Sequence, residues 1–99
     1  VSATLTGATA TSASAYSVPA TVDVVLVDAS TGAVTVNLPS AAANAGRVIN
    51  VKDDGSASLT NDITIYSAGG AIDNATAFIM NAALQSVSVL SHNSNWWIL

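Results

Sequence analysis

The chain has 99 residues and a mass of 9.8 kDa, which suits one domain with a modest core and is too short for two. Only 8% of it is charged: six acids, all aspartate, two bases, Arg47 and Lys52, with one His, no Glu and no Cys. That inventory excludes a disulfide framework and leaves little to bind metal or move protons; at net charge -4 it also lacks the cationic footprint that nucleic acid or an anionic membrane requires.

Residues 1–21 are a low-complexity Ala/Thr/Ser stretch in which Leu5, Tyr16 and Val18 are the larger apolar groups and Pro19 closes the segment. A signal peptide would need a basic start and a Leu-rich centre, and a spanning helix a longer apolar run; neither is present, so no membrane partner is expected. The start at Val1 is expected to reflect processing or excision. Such a segment buries too little apolar area to offset its own ordering. Two readings follow, a flexible tail or an extended arm that lies on a neighbour. The division predicted is an arm at 1–21 and a β domain at 22–99, with Leu5, Tyr16 and Val18 as attachment residues.

Composition changes at Val22. Val22 to Val27 is a β-branched and aliphatic run, residues 29–32 (Ala-Ser-Thr-Gly) supply turn chemistry, and Val34 to Leu38 alternates before Pro39 ends it. Val34, Val36 and Leu38 are predicted to face the core. After Ala41 to Ala45, too short for a helix, Arg47 to Lys52 makes a strand with Ile49 and Val51 on one face, and Asp53-Asp54-Gly55 opens a turn. Ile63 to Tyr66 reads as its partner, ended by Gly69-Gly70. Ala77 to Met80 and Ser86 to Leu90 form a third pair, with Val87 and Val89 on one side. The chain closes on Trp96-Trp97-Ile98-Leu99 after the turn residues 92–95. These units lie about 25 residues apart and share pattern but not sequence, so they read as meandering hairpins, not a repeat.

The fold class expected is all-β: a compact antiparallel β-sandwich or barrel of about seven short strands with an extended N-terminal arm. Adjacent Trp96 and Trp97 must point to opposite sides of the last strand, one inward and one outward. An outward indole anchors a subunit contact. Trp96, Trp97, Leu99, Tyr66 and Phe78 are the interface candidates, and oligomerisation is the route by which a chain without disulfides gains stability.

Polar constellations are weaker signals. Asp53, Asp54, Asn61 and Asp62 flank one loop and carry oxygen, but the EF-hand order and its closing Glu are missing. Ser91-His92 invites a nucleophile reading, yet neighbours on a strand diverge, and a triad must converge. Arg47 and Lys52 read as solvated strand ends, and Tyr66, Phe78 and Trp97 as core or interface rings before a sugar platform. No enzyme activity, cofactor or metal is expected.

The order of features from Val24 to Leu99 resembles a module of tailed-bacteriophage virion proteins, especially tail fibres and small surface fibres. The pieces that carry the resemblance are Val27-Asp28 leading to Gly32, Val34 to Pro39, Gly46-Arg47 with Val51-Lys52-Asp53, Ile63-Thr64-Ile65, Gly70 with Ile72-Asp73, and terminal Asn95 to Leu99. It implies a homotrimeric β-rich module at a virion surface. Its partners would be copies of itself and other virion proteins, such as the major capsid protein or a fibre base. A short chain without a fibre shaft fits a capsid decoration or cement protein, or a short head fibre. Two alternatives stand beside it: a receptor-binding tail-fibre tip, and a secreted filament subunit that assembles by strand addition.

Overall fold

The computed structural model describes residues 8–11, 13–55 and 61–99. Among the described residues nine strands run in order: β1 (Ala8–Thr11), β2 (Ala15–Ser17), β3 (Val24–Val27), β4 (Val34–Leu38), β5 (Val48–Asp53), β6 (Ile63–Ser67), β7 (Ala77–Met80), β8 (Ser86–His92) and β9 (Asn95–Ile98). Between β4 and β5 there is one 3-10 turn, Ala42–Asn44. The all-β expectation holds, and the strands form two sheets, β1-β3-β5-β8-β9 and β2-β4-β6-β7.

The pairing differs from a meander of hairpins. Until β6 the chain changes sheet at every strand, so β1-β3-β5 and β2-β4-β6 pair in parallel, and only β5-β8, β6-β7 and β8-β9 are antiparallel. The sheets are therefore mixed. Each successive pair of strands, one in each sheet, makes a rung, and three rungs stack. The even spacing of the units along the sequence is the rung repeat: Val24 pairs with Asn50, and Val34 with Ile63, each one rung further on. The first rung is shorter in sequence, with Ala8 beside Val24 and Ala15 beside Thr35.

Period-two alternation decides what goes inside. Val34, Val36 and Leu38 are buried, as are Ile49 and Val51, Ile63 and Ile65, and Val87 and Val89. Register then lines these residues into ladders across the sheets. Val25, Val51 and Val87 form one; Tyr16, Val36, Ile65 and Phe78 form another in the opposite sheet. Each fully buried aliphatic side chain of this kind contributes about 1.5–3 kcal/mol. These ladders replace the helices that usually cover parallel sheets, because here each sheet is the other's cover.

Pairing runs across the composition change at Val22. Tyr16 sits at the end of its ladder, packed against the core, and Val18 is buried. A parallel rung needs only main-chain pairing and a few inward groups, so an Ala/Ser/Thr stretch can supply one. Tyr16 and Val18 are thus committed to this chain's own core, not to an attachment arm. Leu5 lies outside the described residues.

Two polar hubs tie the rungs together. The Arg47 guanidinium, expected at a solvated strand end, instead donates from Nε to Asp23 Oδ1 at 3.3 Å, from one terminal nitrogen to Asn44 Oδ1 at 3.2 Å, and from the other to the carbonyls of Pro19 (2.8 Å) and Val22. It clamps the β2–β3 connection to the start of β5. Asp53, inward-facing at the end of β5, accepts the N–H groups of Gly55 at 3.1 Å and Leu84 at 3.0 Å. A buried carboxylate held by two main-chain donors fixes both turns to one another.

Candidate assembly surface

The Ser91-His92 pair is turned apart, and two members of the aspartate-rich loop are engaged by the fold. Ser91 is fully buried and its Oγ donates to the Ala41 carbonyl at 2.5 Å, whereas His92, one residue on, is exposed on the other side of the sheet. In the aspartate-rich loop, Asp53 is occupied as above, and Asn61 donates from Nδ2 to the Ala29 carbonyl at 2.7 Å. Among the described residues no three His, Cys, Asp or Glu side chains gather in a metal-binding group. No helix among them is long and apolar enough to cross a membrane.

The five candidate interface residues fall on three different surfaces. Trp96 points inward: it has no exposed surface, and its Nε1 donates to the Pro39 carbonyl at 3.1 Å. It is a core residue, which corrects its place among the interface candidates. Phe78 also faces inward and packs, partly buried, against the core. Trp97, as alternation requires, faces outward from the five-stranded sheet and is half-buried, its Nε1 donating to the His92 carbonyl at 2.9 Å. Leu99, 72% exposed, follows it. Tyr66 lies on the outer face of the other sheet, so Tyr66, Phe78 and Trp97 cannot form a common platform.

Around Trp97 the register assembles an apolar row. Val48 pairs with Leu90 and Leu90 with Trp97, so three large groups cross β5, β8 and β9 side by side. Val24 and Leu26 extend the same face on β3, and the Leu99 N–H joins the Ser88 carbonyl at its far side. Lys52 is the one charged residue among the outward positions of the described strands of this sheet, and its ammonium is drawn to the Leu84 carbonyl at the margin. Cross-strand rows of this kind are the usual unit of sheet-surface energetics, and here solvent faces them. Val24, Leu26, Val48 and Leu90 are not among the candidates that the sequence singles out. A signal is nevertheless present, since Val24-Val25-Leu26-Val27 is apolar on both parities, where a solvated strand face carries polar groups.

The outer face of the four-stranded sheet is different in chemistry. Ser17, Asn37, Tyr66 and Ala77 make one row, and Ala15, Thr35, Thr64 and Ile79 the next. It is an uncharged surface of hydroxyl, amide and methyl groups on which Tyr66 and Ile79 are the exposed large side chains.

No protein-family model matches this chain, and no curated protein matches it.

Proposed function

We propose that the chain is a non-enzymatic structural module of a bacteriophage virion surface, a homotrimer that acts as a capsid decoration or cement protein or a short head fibre. The row Val48, Leu90 and Trp97 carries this reading: a solvent-facing apolar strip on a sheet almost free of charge is suited to contact with another copy. The motif order from Val24 to Leu99 supports the virion setting, and the trimer follows from that resemblance. Attachment to other virion proteins then falls to surfaces outside the trimer contact.

The decisive experiment is native mass spectrometry of the wild-type chain and of Trp97→Ser, together with labelling of intact particles by an antibody against this chain. A wild-type mass that is a multiple of three copies and loses that threefold unit in the variant, and label on the particle surface, are the expected results. A monomer at all concentrations, or particles that bind no antibody, overturns the reading.

A second reading, a receptor-binding fibre tip, is favoured by Tyr66 on the four-stranded face, beside Asn37 on the next strand and Thr64 on its own, since a ring near uncharged hydrogen-bonding groups suits a sugar. A glycan array distinguishes it: binding lost in Tyr66→Ala supports the tip, and an empty array removes it.

A further inference from the structure

The two ends of the rung stack are finished in different ways. At one end lie β1 and β2, the outermost strands of their sheets. Thr11 accepts the Asp28 N–H at 2.8 Å, so its main-chain groups face β3; Ser14 accepts the Thr35 N–H at 2.9 Å and the Val18 N–H donates to Asn37 at 3.0 Å, so theirs face β4. Strand alternation then turns the main-chain groups of Ala8, Ala10, Ala15 and Ser17 the other way. No strand among the described residues pairs with them there. The usual protections of an edge, a charge or a proline within the strand, are absent from both β1 and β2.

At the other end the edge of β9 is occupied. Trp96 donates its N–H to the Ala71 carbonyl at 2.8 Å and accepts the Asp73 N–H at 3.0 Å, and the Asp73 carboxylate accepts the Ile98 N–H at 3.0 Å. Residues 71–73 act there as a short covering strand.

We propose that the open edges of β1 and β2 pair with the same two edges of a second copy, head to head. A two-fold axis across the end sets each edge antiparallel to its counterpart, and satisfies the outward groups of both sheets in one contact. Rung size, strand length and the lack of charge match because both partners are the same rung, so no like charges oppose one another. A head-to-tail stack through both sheets would need the β9 edge, which is taken, so the head-to-head pair is the contact that satisfies both sheets at once. The contact is separate from the apolar row around Trp97 and does not depend on it.

The test is the double variant Ala10→Pro/Ser17→Pro in the full chain. Both substitutions remove only an N–H that points away from the neighbouring strand, so the internal ladder is kept. Sedimentation and native mass spectrometry should show a wild-type assembly of even copy number whose mass halves in the variant, with an unchanged circular dichroism spectrum. Should the prolines unfold the chain, Ser17→Lys, at an exposed position, carries the same expectation. An assembly mass that none of these variants alters overturns the proposal. So does tighter pairing after deletion of residues 1–7, because the chain itself would then be the occupant of the edge. The Trp97→Ser variant separates the two contacts: it should abolish trimers and leave a pair that the prolines still split.

Discussion

The parallel and antiparallel halves of this molecule are held by different means. From β1 to β6 every partner arrives from a separate pass of the chain, and the connections are anchored by single polar hubs such as Arg47. From β6 to β9 the chain folds back on itself, and reversal brings Trp96 under the Pro39 carbonyl while residues 71–73 cover the last edge. Robustness is therefore unevenly placed: the second half closes by its own turns, whereas the first depends on clamps between turns.

Four substitutions put that contrast at risk. Trp96→Ala removes the largest fully buried side chain, which reaches from the antiparallel half into the connection after β4. A loss of about 3–5 kcal/mol is expected, read by urea unfolding. If tryptophan and far-UV signals still report one transition in the other variants, the halves are one cooperative unit and the contrast is only architectural. Arg47→Ala should cost about 2–3 kcal/mol through its charged hydrogen bonds. Amide exchange should then accelerate in Val24–Val27 before it does in Trp96–Ile98; the reverse order would refute the clamp.

Asp73→Ala strips the carboxylate from the Ile98 N–H, for about 1 kcal/mol, with faster exchange confined to β9. The smallest effect concerns Asp28 at the end of β3. Its carboxyl is held below the ordinary 3.8 by hydrogen bonds from the Ser30 side chain and then from the Ser30 main chain. A lowered value means the contribution is present above pH 3.8 and is lost as pH falls through the folded value. Asp28→Asn should therefore flatten only the most acidic limb of the stability profile. An unchanged limb would detach Asp28 from the stability of the parallel half.

Strand positions were legible because alternation is a one-strand property: Val34 to Leu38 and Ala77 to Met80 appear where period and turn residues place them. The inward residues followed for the same reason. Partners were not legible. Turn residues such as Ser30-Thr31-Gly32 state that the chain reverses, but the same chemistry serves a hairpin within one sheet and an arch between two. Only the tertiary pairing chooses, and Val27 and Val34 lie in different sheets. Of the candidate surface, alternation identified one outward indole in the pair Trp96 and Trp97. The row beside it was hidden, because Val48 and Leu90 lie far apart in sequence and become neighbours only when β5 and β8 pair. The role of Arg47 was hidden on the same ground, since its partners at Pro19, Val22 and Asp23 come from the preceding rung.

The turn between β8 and β9 bears on the order of folding. Asn93 and Ser94 both have positive φ, 52° and 62°, the type I′ geometry that matches strand twist, and Gly70 leaves room beneath them, since a Cβ there would stand 2.5 Å from the Ser94 carbonyl oxygen. This tight hairpin is the most local pairing among the described strands, because each parallel pair must first close a loop that contains a whole strand of the other sheet. Loop closure is faster when it is short, so the quickest nucleus lies in β8 and β9, which are made after every one of the parallel strands. During synthesis the earlier rungs wait as unpaired, weakly charged strands, and their exposure time is set by how soon Trp96 emerges.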